Sequence, residues 1–182
     1  MVTAAERLTL VPIGPQHTED LVVLHAGPDV AYWYAGTWTH SQAHAWAEEM
    51  HERWEREGVG KWMAYRQTDG ELIGRGGLTR TKIDGAPCLE LGWLVREQHR
   101  GLGYATEIGR AGLAFAFDQL QAEEVVAFTE VHNRASRAVM TRLGMSKAGL
   151  IYRPGLVEGH DGVQPSAPFA LYRCSRTPPT AA

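Results

Sequence analysis

The spacing of apolar side chains changes period several times along the chain. Residues 7–13 read as a short strand-like run that stops at Gly14-Pro15, which predicts a first strand. Thr18 with Glu19 and Asp20, followed by Leu21, Val22 and Leu24, has the acidic first turn and apolar positions of a helix start. Between Gly27 and Thr39 the aromatics Tyr32, Trp33, Tyr34 and Trp38 stand among Gly and Pro, too interrupted for one long helix. They form either a core plug or a substrate wall. Ser41 can cap a helix over 41–57, with Trp46, Met50 and Trp54 on one face and Gly58 as its terminator.

Residues 61–67, 71–81 and 87–95 are strand-like runs joined by Thr68-Asp69-Gly70 and Asp84-Gly85, an antiparallel meander. Residues 104–121 carry only the charges Glu107, Arg110 and Asp118, so the helix predicted there is mostly buried. A strand over 125–131, a helix over 134–143 ended by Gly144, and strands over 147–152 and 167–174 complete the chain. The succession predicts a mixed α/β (α+β) fold, a mostly antiparallel sheet of six to seven strands flanked by about four helices. We expect a single domain over residues 1–176 and a frayed tail over 177–182.

Composition narrows the partners. A formal net charge of -3 and the lack of long Lys/Arg runs argue against nucleic acid. No apolar run approaches the roughly 20 residues that cross a bilayer, and the start lacks a signal-peptide core, so no membrane contact and a cytoplasmic location are expected. Cys88 and Cys174 read as free, half-buried thiols. His40, His44 and His51 share a helix face with Glu48 and Glu55, opposite the tryptophan stripe, and read as solvated surface in preference to a metal site.

The segment richest in chemistry is Leu89-Glu90-Leu91-Gly92-Trp93-Leu94-Val95 followed by Arg96-Glu97-Gln98-His99-Arg100-Gly101-Leu102-Gly103-Tyr104-Ala105. A strand passes through a glycine turn directly into a helix. The first amides of that helix have no intrahelical acceptor, its dipole adds positive charge, and Gly101 and Gly103 can take positive φ and gather amides into an anion nest. Arg96 and Arg100 add full charges. A dinucleotide fold would want a third glycine where Thr106 stands, and an earlier parallel unit.

Gln98-His99-Arg100-Gly101-Leu102-Gly103 resembles the QxxGxG/A pattern of the GNAT superfamily of N-acetyltransferases. Gly101 to Glu107 looks like its ribosomal-protein N-acetyltransferase, or Rim-like, branch. Asn133-Arg134-Ala135-Ser136, then Leu143-Gly144-Met145, is similar to that branch's NxxS…LGF segment, with Met145 in place of the usual Phe. The resemblance implies acetyl-CoA as co-substrate and a sheet splayed between the fourth and fifth strands. The pantetheine arm would fill the gap and pair with the backbone of Leu94 and Val95. Gly101, Leu102, Gly103, Tyr104 and Ala105 would hold the pyrophosphate, with Arg96 and Arg100 beside them, and Asn133 would meet the pantetheine or the thioester. Relatives of this kind occur as dimers or monomers, so a homodimer belongs among the expected partners. No metal is expected.

Acetyl transfer needs a neutral amine, a stabilised oxyanion and a proton for the leaving thiolate. Glu90 alternates onto the face of Gly92, which makes it either a general base acting through a water or a carboxylate bonded to a neighbouring loop. Many family members protonate the thiolate with a tyrosine where this chain has Met140, which has no proton to give. Ser136 is the nearest hydroxyl and is either that acid or a helix cap. Deprotonating an α-amine near pH 7 costs roughly 1 kcal/mol and a lysine over about 4, so a weak base suffices for an N-terminus. The expected activity is direct transfer from acetyl-CoA to a primary amine, of a peptide N-terminus or of a small molecule. The alternative is a silent acyl-CoA-binding sensor.

Overall fold

The computed structural model describes residues 3–33 and 36–176. Strand β1 (Thr3–Ala4) pairs with β2 (Leu8–Pro12), and β3 (Lys61–Arg66), β4 (Leu72–Ile83) and β5 (Ala86–Val95) extend the antiparallel meander. β6 (Glu124–Glu130) follows β5 in parallel, and β8 (Gln164–Ser175) runs antiparallel between β6 and the edge strand β7 (Ser146–Gly155). The helices are α1 (Thr18–His25), α2 (Pro28–Trp33), α3 (His40–Glu57), α4 (Tyr104–Ala114) and α5 (Arg134–Arg142).

The mixed sheet and its expected splay are present, with two short additions. β1 and α2 are too brief to show a periodicity, and they account for the eighth strand and the fifth helix. Thr39, and not Ser41, caps α3. Its Oγ1 accepts from Gln42 N at 3.3 Å while its own N donates to Gln42 Oε1 at 2.9 Å. Gly58 ends that helix at φ 64°, as expected. The long helix predicted over 104–121 is α-helical only to Ala114. It widens into a π turn over Phe115–Gln119, where Leu120 N donates to Phe115 O, and Phe115 sits edge-on to Trp54 and Trp62. Tyr34 and the tail 177–182 lie outside the described residues.

Two layers of helix position the gap in the sheet. On one face α1 and α3 bury Leu21, Leu24, Ala43, Ala47 and Met50 against Met63, Leu72 and Leu94. On the other, α4 buries Ile108 against Leu10, Trp62, Ile73 and Val95. Each buried Leu, Ile, Val or Met here contributes roughly 1.5–3 kcal/mol and each Ala less. Glycines set how closely α4 lies. A Cβ on Gly76 would stand 2.4 Å from Ile108 Cγ2, on Gly112 2.4 Å from Leu91 Cδ1, and on Gly109 2.5 Å from Leu143 Cδ1. The last contact ties α4 to the end of α5. β5 and β6 meet in register only at Glu90 and Val126, so residues 91–95 and 127–130 diverge, and α4 and α5 begin on either side of the opening.

Candidate active site

β5 leaves the sheet at Val95, makes a tight turn over Glu97–His99, and enters α4 through Arg100, Gly101, Leu102 and Gly103. Gly101 and Gly103 have φ 75° and 88°, a conformation costly for any residue with a Cβ. The first intrahelical bond runs from Glu107 N to Gly103 O, which leaves the earlier amides of α4 without helical acceptors. The helix dipole reinforces the positive potential there.

The loop is held from three sides. Buried His99 shares a hydrogen bond with Glu71 through Nε2 at 3.1 Å, and Arg100 Nε donates to Val95 O at 3.2 Å. Arg7, which precedes β2, donates through Nη1 to Leu102 O at 3.1 Å and lies 4.5 Å over the Tyr104 ring. Its Nε and Nη2 grip the buried Glu107 carboxylate, each at 2.9 Å, and its backbone N donates to the same group. That carboxylate lies in the first turn of α4, and Arg7 neutralises it.

Across the opening, Asn133 caps α5. Its Oδ1 accepts from Ser136 N at 3.1 Å, so the cap belongs to Asn133 and the Ser136 hydroxyl is left out of it. Asn133 can then offer a ligand its Nδ2 donors. Met140, where relatives of the wider family carry tyrosine, is buried in the core.

A cleft of about 1210 Å³ runs between the two helix starts. Arg100, Gly101, Gly103, Tyr104 and Ala105 line one end, and Leu94, Val95 and Glu90 line the β5 wall. Asn133 and Ser136 stand on the α5 side. The structure therefore brings together all but two of the residues singled out from sequence. Arg96 is turned away: its N and Nη1 donate to the carbonyls of Ile73 and Leu72, because the residue still follows the edge of β4. Leu102 points into solvent, 54% exposed, and only its backbone meets Arg7. Trp93, partly buried, packs against two apolar clusters and also lines the cleft.

At the far end Trp33, Trp46, Phe128 and Phe169 give the cleft aromatic walls. Trp33 also stacks on His132 at 5.2 Å. Trp38 instead stacks on buried His25 at 3.6 Å, whose pKa is pushed down to about 3 by burial and then by Arg75. The aromatic segment is thus part cleft wall, at Trp33, and part core plug, at Trp38. Lys61, Arg75, Arg7 and Glu107 line the cleft without having been singled out from sequence. Arg7 and Glu107 are 100 positions apart, so no local signal links them.

Residues 7–146 match the acetyltransferase (GNAT) domain family. The chain is 31% identical over 170 residues to the FsC-acetyl coenzyme A-N(2)-transacetylase of Aspergillus fumigatus, covering 84% of this chain and 71% of that one. It is 30% identical over 123 residues to protein YkkB of Bacillus subtilis, covering 68% and 72%. In fold it is similar to RimL, a ribosomal L7/L12 alpha-N-protein acetyltransferase solved with coenzyme A, with a TM-score of 0.76, 16% identity and coverage of 96% and 98%. With its splayed sheet and paired helix starts, the chain belongs to the GNAT family and is an acyl-CoA-dependent acetyltransferase.

Proposed function

We propose that this enzyme acetylates an α-amino group, carried by a peptide N-terminus or a small molecule, by direct attack of the amine on acetyl-CoA. The observation that carries the reading is the convergence of two helix starts and a positive-φ glycine turn on the gap where β5 parts from β6, with Glu90 at its vertex. The amides of residues 101–105 suit a diphosphate, and the open edge of β5 suits the amide groups of a pantetheine arm. Names of relatives point the same way, one to N(2) of its substrate and one to a protein alpha-amine.

In the step itself Glu90, directly or through a water, takes the proton that makes the amine nucleophilic. The nitrogen then forms its bond to the thioester carbon, the C–S bond breaks, and a proton lost from nitrogen ends on the thiolate, delivered by the hydroxyl of Ser136, which lines the cleft on the α5 side. Direct transfer is favoured over an acetyl-enzyme because neither cysteine lines the cleft and both thiols are pushed up in pKa, first by burial. Thiol release from acetyl-CoA with a panel of amines tests the reading. Release with an α-amine supports it, and tight binding without release would favour a sensor.

Two variants separate the roles. Ser136→Ala should lower kcat by about tenfold with acetyl-CoA affinity little changed, because the hydroxyl takes no part in capping α5. An unchanged kcat removes it from the mechanism. Arg7→Ala leaves a buried carboxylate without its cation beside the diphosphate, although the backbone N of residue 7 still donates to it, so acetyl-CoA affinity should fall by about tenfold or more. Adding Glu107→Gln should restore most of the loss, and a double variant no better than the single would contradict that electrostatic account.

A further inference from the structure

Lys61 opens β3 and is only 7% exposed, an uncommon place for an ammonium. It lies opposite Gly77 of β4, and Gly77 lies opposite Gly92 of β5. The lysine side chain reaches across β4 to the bare backbone of Gly92, while the open side of Gly77 faces Trp62. Its Nζ donates to Gly77 O at 2.9 Å, and a Cβ on Gly92 would stand 3.2 Å from Nζ and 3.9 Å from Glu90 Oε1. Ammonium and carboxylate thus flank one bare backbone position, and both line the cleft where β5 separates from β6.

Holding a backbone carbonyl does not require a buried charge, which is expensive to desolvate. A buried ammonium beside a carboxylate in a catalytic cleft does have a use for its charge. We propose that Lys61 is a positioning residue for Glu90, its ammonium holding the carboxylate at the vertex of the gap and turned toward the incoming amine. The inference rests on the acetyl-transfer reading above and adds to it the residue that aims the base.

The groups facing Lys61 are Glu90 from β5, Arg75 from β4 and Arg53 from α3. Burial is the main cause that brings its pKa down to about 8; Glu90 opposes the fall, and Arg75 and Arg53 add to it. Below that pH the ammonium is present and its charge acts on Glu90 through space, across the bare backbone of Gly92, with no direct ion pair between them. Above it Lys61 is neutral, and the hold on the carboxylate is released.

The chain has three lysines, Lys61, Lys82 and Lys147, so NMR of lysine-labelled protein resolves them, and Lys61→Arg assigns the signal by its loss. The expected midpoint is about 8. In Glu90→Gln it should fall by about one unit, as removal of a nearby carboxylate requires. With a peptide bearing a free N-terminal serine as acceptor, Lys61→Met should lose about tenfold in kcat and keep its acetyl-CoA affinity within about twofold. A midpoint unmoved by Glu90→Gln overturns the proposal, and so does a Lys61→Met enzyme with undiminished kcat. Should Lys61→Met fail to fold, the titration in Glu90→Gln decides. A wild-type protein that binds acetyl-CoA but releases no thiol with any amine refutes the transferase reading instead, and the titration still shows whether the pair exists.

Discussion

Gly103→Val should raise the KM for acetyl-CoA by about 100-fold while the protein keeps a cooperative melting transition. Gly103 has φ 88° and is the last residue before α4. An ordinary residue forced into that region costs roughly 1–2 kcal/mol, and more when β-branched. A Cβ there would stand 3.4 Å from Arg7 Nη2, ordinary contact, so the added methyl groups of valine have little room beside the ion pair that steadies the loop. Turning even one amide away from the diphosphate forfeits a charge-assisted bond of about 1.5–3 kcal/mol. Together these approach about 3 kcal/mol, or two decades in affinity. Gly101→Ala is the milder companion. A Cβ there meets nothing within 4 Å, so only the backbone at φ 75° resists and the expected loss is nearer tenfold. A Gly103→Val protein with wild-type KM would show that the turn does not hold the coenzyme.

The second large effect belongs to Glu90. Glu90→Gln should lower kcat/KM for the amine by about 100-fold, the low end for removal of a general base, with the KM for acetyl-CoA unmoved. The deficit should shrink for weakly basic amines and grow for strongly basic ones, because only the latter need help to lose a proton near pH 7. A carboxylate serving only as a brace for the sheet would not show that dependence. Full activity of the glutamine variant would end the base assignment, and with it the purpose given to Lys61.

The parts of the molecule legible in sequence were those encoded over short spans. Alternation and turn residues located the meander, and the glycine turn before Tyr104 announced an anion site without reference to the rest of the chain. Asn133 and Ser136 share one helical turn, so their pairing was local too, although only the structure divided cap from free hydroxyl. What stayed hidden depends on register between distant strands. Lys61 reads as the polar start of a strand, and only the register that sets it opposite Gly77, and Gly77 opposite Gly92, brings its ammonium to the cleft. Arg7 reads as an edge residue until Glu107 is placed beside it. Arg96 misled for a related reason: its charge lies beside the motif in sequence, yet its backbone remains bonded to β4 and carries the side chain away. The π turn at Phe115 answers to packing against Trp54 and Trp62, which no helical periodicity records.

The claim on which the rest depends is that free amides at the start of α4 hold a diphosphate beside an open β5 edge. A crystal of the wild-type protein soaked with coenzyme A tests it directly. Diphosphate oxygens within about 3 Å of the amide nitrogens of residues 101–105, with the pantetheine arm between β5 and β6, are the expected result. A diphosphate bound against another surface, or a cleft left empty at millimolar coenzyme, would contradict it.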